Sequence, residues 1–237
     1  MQTQAQAIAE RMKSNEPLRW IFAGDSITHG ALHTFGWRDY VELFAERLRF
    51  EVKRPRDFVI TTAASGWTTQ RILDDIEWNV LQFRPNVFSL MVGMNDACGG
   101  PDGVAGFRRN YDAILDRVNG CGCRHVILHT TNPIWPSCTS RASLPLYVEE
   151  IRRIARDRDA VLVDHDACWR EAMKENPFRG TCWMNDEIHP GDFGHRAFVH
   201  LLLKELAGAS APITVAGALV QNTAESLALS AMRLAVD

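Results

Sequence analysis

The sequence predicts an α/β fold in which helices cover both faces of a parallel β-sheet. Short, almost continuously apolar runs alternate along the chain with longer stretches that show helical periodicity. Such apolar runs are typical of parallel strands buried on both faces, and their alternation with helices is the pattern of repeated β-α units. The length of 237 residues, 46% of them hydrophobic, suits a single domain over residues 1–237.

Five short apolar runs are predicted to form the strands of this sheet. Each run is mainly apolar, as expected for a strand whose two faces are both covered. In chain order they are Arg19–Ala23, Phe58–Thr62, Val87–Val92, His125–His129 and Val161–Val163. The crossovers between them should be right-handed.

Helices are predicted where apolar residues recur three or four positions apart and so share one face. Between Thr69 and Phe83, for example, Ile72, Ile76 and Val80 lie on one side. The predicted helices cover residues 37–50, 69–83, 106–118, 144–156 and 191–206. The core of the domain is therefore expected at about residues 19–207.

Two segments lie outside the β-α pattern. Thr131–Pro145 contains three prolines and several Ser and Thr residues, which predicts a long irregular loop after the fourth strand. Residues 208–237 form a C-terminal appendage with a small Ala/Leu-rich helix predicted at Thr223–Leu234. This helix is expected to cover the domain surface, and a homo-oligomer contact is the alternative.

Composition excludes several classes of function. The net charge is -3, with 26 basic and 29 acidic residues, which argues against a nucleic-acid-binding protein. We find no apolar run long enough to span a membrane and no recognisable signal peptide, so a cytoplasmic location is expected. The six cysteines show no paired CxxC spacing. We predict no metal or cofactor, because His29 and His33 near Ser26 have no obvious third ligand.

Three polar or small residues follow successive predicted strands. Ser26 follows the first strand, Gly66 the second and Asn95 the third. Ligands of open parallel sheets bind outside the carboxyl ends of the strands. The sequence therefore predicts one site at this edge, built from several loops.

Ser26 is the candidate nucleophile of this site. A serine hydroxyl needs a base within hydrogen-bond reach, and His189 is the best candidate because Pro190 holds its loop open just before a helix. Asp186, three residues earlier, can accept the imidazole N–H and fix its tautomer. His165, between two aspartates, is a weaker competitor, and His195 falls inside the last predicted helix.

Attack on an ester creates an oxyanion that needs hydrogen-bond donors. The candidates are the backbone N–H groups of Ser26 and Gly66 and the side-chain amide of Asn95. Glycine at position 66 would let the backbone approach a substrate closely.

Four sequence blocks together resemble those of the SGNH-hydrolase superfamily, also called GDSL-like esterases. They are Gly24-Asp25-Ser26-Ile27-Thr28, Gly66, Gly93-x-Asn95-Asp96 and Asp186-x-x-His189-Pro190. The resemblance spans Trp20 to about Leu206 and implies a flavodoxin-like, three-layer α/β/α sandwich with a five-stranded parallel sheet. It also implies a Ser-His-Asp mechanism with Ser26 as nucleophile, His189 as base and Asp186 as its orienting residue. Ser26, Gly66 and Asn95 would be the oxyanion donors.

The expected partner is a small-molecule ester, with neither nucleic acid nor a membrane involved. Trp67 and Trp183 are candidate substrate contacts, since flat rings stack on sugars or pack against acyl chains. Asp25 is a candidate for holding its loop and for contacting substrate. We expect short acyl groups, acetyl first, on carbohydrates or other small alcohols.

Other functions remain open at this point. The same site could carry an acyltransferase or a lysophospholipase- or thioesterase-type acylhydrolase. A flavin- or sugar-binding module on the same scaffold is an alternative of a different class, although Asp25 would repel a phosphate there.

Overall fold

The structure is a computed structural model that describes residues 2–207, and it is built on a five-stranded, all-parallel β-sheet with helices on both sides. The predicted fold class is confirmed. The strands are β1 (Arg19–Gly24), β2 (Phe58–Thr61), β3 (Val87–Met91), β4 (His125–His129) and β5 (Val161–Val163). Each strand begins where the apolar run predicted it. The inner strands β1 and β3 are buried almost throughout, whereas the edge strand β2 is exposed or partly exposed at every residue.

The described residues contain more helices than the periodicity indicated. In chain order they are α1 (Gln4–Lys13), α2 (Ser26–His29), α3 (Tyr40–Phe50), α4 (Thr69–Asp74), α5 (Ile76–Asn79), α6 (Val104–Gly120), α7 (Leu144–Asp157), α8 (His165–Glu175), α9 (Arg179–Cys182) and α10 (Asp192–Ala207). Apolar periodicity did not indicate α1, α2, α8 and α9. Ile8 of α1 is fully buried, so α1 packs against the domain from outside the expected core range of residues 19–207.

The single helix predicted over residues 69–83 is wrong. The backbone leaves helical geometry at Asp75 and at Val80, which divides the stretch into α4, α5 and a 3₁₀ turn. Ile72, Ile76 and Val80 are nevertheless all buried. The apolar spacing therefore identified the residues that face the core, although it did not show where the helical backbone is interrupted.

In the strand order β2-β1-β3-β4-β5, the chain first adds β2 on one side of β1 and then adds β3, β4 and β5 on the other side. The switch point of the sheet therefore lies between β1 and β3. Parallel pairing of Gly24 with Met91 brings the carboxyl ends of these two strands side by side. A crevice at such a reversal is where ligands of open α/β sheets bind. The loops that carry Ser26 and Asn95 flank this crevice.

Gly24 ends β1 under close packing. A Cβ at this position would lie 2.3 Å from the carbonyl oxygen of Met91 and 2.6 Å from Oγ1 of Thr28. Distances this short are never tolerated by a real side chain, so only glycine lets β1 pass between β3 and α2. The glycine therefore sets how closely the Ser26 helix sits against the sheet.

The remaining fold-level predictions concern the C-terminus and membranes. The helix expected at Thr223–Leu234, and any homo-oligomer contact through it, lie outside the described residues, so both stay predictions. Among residues 2–207, no helix is both long and apolar enough to cross a membrane.

Candidate active site

Ser26 is the first residue of the short helix α2. The side chain of Asp25 accepts a hydrogen bond from the N–H of Ile27 at 3.0 Å and so caps this helix. Gly30 ends it in the left-handed conformation, with φ of 70°. The nucleophile candidate thus sits on a helix start rather than on a simple turn, and its side chain is almost completely buried.

Ser26, His189 and Asp186 form a continuous hydrogen-bonded chain. Oγ of Ser26 lies 2.9 Å from Nε2 of His189, and Nδ1 of His189 lies 2.8 Å from Oδ2 of Asp186. Burial opposes ionisation of Asp186, but hydrogen bonds from the backbone N–H groups of His189 and Ile188 outweigh it and lower the pKa of this carboxyl. An ionised Asp186 holds the proton of His189 on Nδ1, which leaves Nε2 free to accept the proton of Ser26.

The loop that carries Asp186 and His189 is held by Asn132, which the sequence analysis did not single out. Nδ2 of Asn132 donates to the carbonyl of Ile188 at 2.9 Å, and the N–H of Trp135 donates to the carbonyl of Glu187 at 3.0 Å. Asn132 is fully buried. It follows β4, so the same strand-end argument that selected Asn95 could have found it. The predicted irregular loop Thr131–Pro145 therefore braces the His189 loop.

The two competing histidines lie in the core. Nε2 of His165 is 3.0 Å from Nδ1 of His129, and Nδ1 of His195 accepts the N–H of Tyr40 at 3.2 Å. Burial lowers the pKa of His195 to about 4 and the pKa of His165 well below its ordinary value. Both are therefore neutral packing residues, and His189 alone of the three faces Ser26.

His33 stacks on His189. The ring centroids are 3.5 Å apart and the planes differ by 7°. Potential ligand atoms of His33, Asp186 and His189 lie within 4.8 Å of one another, a grouping that was not obvious from the sequence. Both nitrogens of His189 already bond to Ser26 and Asp186, however, and the in-plane lone pairs of two stacked rings run parallel rather than converging. A metal would have to break the hydrogen-bonded chain.

The three oxyanion-donor candidates are connected through their loops. The N–H of Ala64 donates to the carbonyl of Gly24 at 3.2 Å, which ties the Gly66 loop to the end of β1. Nδ2 of Asn95 donates to the carbonyl of Trp67 at 3.0 Å, which ties Asn95 to the same loop. Within the described residues, the backbone N–H groups of Ser26 and Gly66 donate to no backbone or side-chain acceptor.

Glycine at position 66 also has a conformational reason. Its φ is 80°, in the left-handed region, and among the described residues no atom would crowd a Cβ there. Backbone conformation, rather than close packing, accounts for this glycine. The open space beside it is where a substrate could approach.

The aromatic candidates differ from Asp25 in exposure. Trp67 and Trp183 are both partly buried against the core, and Trp183 also packs edge-to-face on Trp169 with ring centroids 5.0 Å apart. Asp25 is fully buried, which corrects its candidacy as a substrate contact: its carboxylate caps α2 and has no surface to offer a ligand. Leu32 and Phe35, on either side of His33 in sequence, are strongly exposed, and the sequence analysis did not select them.

Replacing Asp25 with Asn should stabilise the protein in a pH-dependent way. Burial raises the pKa of Asp25 from 3.8 to about 7. Between these two pH values, Asp25 is therefore protonated in the folded state and ionised in the unfolded state. Stability therefore falls as pH rises through this window. The asparagine of the Asp25→Asn variant does not ionise, so its stability does not fall in this way. The free energy of unfolding of the variant should therefore exceed that of wild type by an amount that grows from about pH 4 to about pH 7, to at most about 4 kcal/mol, and then levels off.

Urea unfolding of both proteins at several pH values would measure this advantage. The matched control is Asp116→Asn, at an exposed aspartate, whose stability should follow that of the wild type at every pH. A constant difference between Asp25→Asn and the wild type across the pH range would contradict the prediction.

The all-parallel sheet with helices on both sides defines an α/β protein of the hydrolase type, with Ser26 at the carboxyl edge of the sheet. The chain belongs to the GDSL-like lipase/acylhydrolase family, whose model matches residues 22–197. The predicted family is thus confirmed.

Two curated proteins are similar to this chain in sequence. An acetylxylan esterase from Geobacillus stearothermophilus is 24% identical over 220 residues, covering 82% of this chain and 96% of the relative. An uncharacterised protein from Mycoplasma pneumoniae is 30% identical over 130 residues, and the match spans 53% of this chain but 14% of that protein.

Two solved structures share the fold at 20% identity. An α/β hydrolase from the metagenome of Lake Arreo, Spain, has a TM-score of 0.69 and matches 83% of this chain and 99% of its own. The structure of an acetylxylan esterase from Geobacillus stearothermophilus has a TM-score of 0.68 and matches 80% and 94%.

Proposed function

We propose that this esterase hydrolyses carboxylic esters through an acyl-serine intermediate on Ser26, with His189 as the general base and Asp186 as its orienting residue. The observation that carries the proposal is the hydrogen-bonded chain, in which Ser26 Oγ is 2.9 Å from His189 Nε2 and His189 Nδ1 is 2.8 Å from Asp186. A hydroxyl in contact with a correctly oriented imidazole is the arrangement that activates serine.

The acylation step follows from these contacts. Oγ of Ser26 attacks the ester carbonyl carbon while its proton moves to Nε2 of His189. The carbonyl oxygen becomes an oxyanion, and the C–O bond to the alcohol then breaks. His189 delivers its proton to the departing alcohol oxygen, which leaves the acyl group on Ser26.

Deacylation repeats the sequence with water. His189 takes a proton from the water as its oxygen attacks the acyl-serine. The second tetrahedral intermediate releases the carboxylic acid, and the proton returns to Oγ of Ser26. Asp186 stabilises the imidazolium in both halves of the reaction and remains ionised throughout.

The proposed oxyanion donors are the N–H groups of Ser26 and Gly66 and the side-chain amide of Asn95. Their support is that the two backbone donors have no partner among the described residues, and that Asn95 is linked to the Gly66 loop through Trp67. Removal of one such donor typically costs roughly 10²- to 10³-fold in kcat.

For substrate we propose short acyl esters, acetyl first, of carbohydrates or other small alcohols. The support is the family membership together with the acetylxylan esterase that aligns with 82% of this chain. Trp67 and Trp183 remain the proposed contacts to the substrate, since their rings are partly buried and follow or precede the site residues in sequence. Flat rings at a site edge suit the apolar face of a sugar.

A substrate series combined with covalent labelling would test this proposal. We expect an organophosphonate to label Ser26 and no other serine, as read by peptide mass spectrometry. Among nitrophenyl esters, we expect kcat/KM to fall from acetyl to octanoyl. Labelling of another residue would contradict the proposed nucleophile, and a preference for octanoyl esters would contradict the proposed acyl class. Transfer of the acyl group mainly to added acceptor alcohols would contradict hydrolysis as the main reaction.

A further inference from the structure

Arg141 reaches into the site from the irregular loop Thr131–Pro145. It ends the 3₁₀ turn Thr139–Arg141 and is partly buried. Its Nε donates to the carbonyl of Met94 at 3.0 Å, and its Nη2 donates to Oδ1 of Asn95 at 3.1 Å. One guanidinium thus bonds two consecutive residues of the loop after β3.

These contacts orient the side chain of Asn95. The two ends of a carboxamide have the same shape but opposite hydrogen-bonding character, and a guanidinium can only donate. Arg141 therefore selects Oδ1, while the carbonyl of Trp67 can only accept and selects Nδ2 at 3.0 Å. With both ends assigned, one N–H of Nδ2 bonds Trp67 and the other is left for a ligand.

Charge adds to this orientation. A cation on Oδ1 draws electron density from the amide, and hydrogen bonds in such a chain strengthen one another. The N–H groups at the far end of the Asn95 amide become better donors to a developing oxyanion. Arg141 itself contacts Asn95 and Met94 rather than the Ser26–His189 chain.

We infer that Arg141 is a positioning residue, which fixes and polarises the Asn95 amide as an oxyanion donor and thereby couples the Thr131–Pro145 loop to catalysis. The inference rests on the proposed function, because it requires an oxyanion to form at Ser26. Its effect should appear in the transition state, since the carbonyl of a bound substrate carries much less charge.

The test is a double-mutant cycle between Arg141 and Asn95, measured on nitrophenyl acetate. Asn95→Ala should lower kcat by roughly 10²-fold, and Arg141→Ala by about tenfold or more, with KM changed by less than about threefold in each case. If Arg141 acts through Asn95, the double variant should have the kcat of Asn95→Ala alone. Arg141→Lys should recover part of the loss, since lysine keeps the charge but lacks the fork that reaches both acceptors.

A matched control is Arg196→Ala, which removes a guanidinium bonded to Asp192 on α10 and should leave kcat unchanged. If Arg141→Ala does not fold, the cycle is run with Arg141→Lys in its place. The inference would be overturned if the kcat losses of the two single variants multiplied in the double variant. It would also be overturned if Arg141→Ala changed only KM. Failure of the proposed function is distinguishable, because Ser26→Ala would then retain activity whatever the cycle gives.

Discussion

Ser26→Ala is expected to lower kcat for nitrophenyl acetate by about 10⁴-fold or more while leaving the fold intact. The substitution removes the one oxygen that lies 2.9 Å from Nε2 of His189. The residual rate would come from the oxyanion donors and His189 acting on water. Because the change deletes a single oxygen from a small side chain at the start of α2, the melting temperature should stay within a few degrees of wild type.

Ser65→Ala is the matched control for this variant. Ser65 lies at the same edge of the sheet, beside Gly66, and its Oγ is 3.1 Å from Nδ1 of His29 rather than from His189. Its loss should change kcat by no more than about threefold. Activity retained in Ser26→Ala, with unchanged phosphonate labelling, would show that another residue is the nucleophile.

Asp186→Asn is expected to lower kcat on the order of 10³- to 10⁴-fold with little loss of stability. Oδ1 of Asp186 accepts the backbone N–H groups of Ile188 and His189, both at 2.8 Å, and Oδ2 faces Nδ1 of His189. The amide oxygen of an asparagine would take the two backbone bonds and keep the loop in place. Its NH₂ group would then face Nδ1 and donate to it.

That reversed hydrogen bond would move the proton of His189 to Nε2. An Nε2–H imidazole cannot accept the proton of Ser26, so the base is lost although every heavy atom remains in position. Steady-state kinetics and thermal melting would measure the two effects separately. Asp116→Asn, on the solvent-facing ion pair with Arg158, is the control and should match wild type in both. A kcat within about tenfold of wild type for Asp186→Asn would exclude Asp186 as the orienting residue.

Strands were easier to predict than helices in this chain, for a physical reason. The strand Val87–Met91 is buried on both faces, so all its residues except Ser89 are apolar and the sequence displays the strand directly. Helix α1 buries only Ile8 completely, with Ala5 and Met12 partly buried against the core, and its start depends on a capping box between Thr3 and Gln6. A single buried residue in ten leaves a weak periodic signal.

The residues of the candidate site divide in a similar way. Ser26, Asn95, Asp186 and His189 were selected because each combines a reactive group with a position at a strand or helix end. Asn132 was missed although its position after β4 is the same kind of signal. Arg141 has no such signal, because it acts on Met94 and Asn95, more than 45 residues away along the chain, and no local pattern records such a contact.

By itself, the sequence determined the parallel sheet and the edge of the sheet at which the candidate site residues lie, because burial and strand-end position are local properties of the chain. The strand order, the stacking of His33 on His189 and the bracing of two site loops by Thr131–Pro145 were decided only in the tertiary structure. The burial of Asp25, which removes it from the substrate contacts, belongs to the same group. Each depends on which segments pack against one another, and that choice reflects the free energy of the whole fold rather than of any one segment.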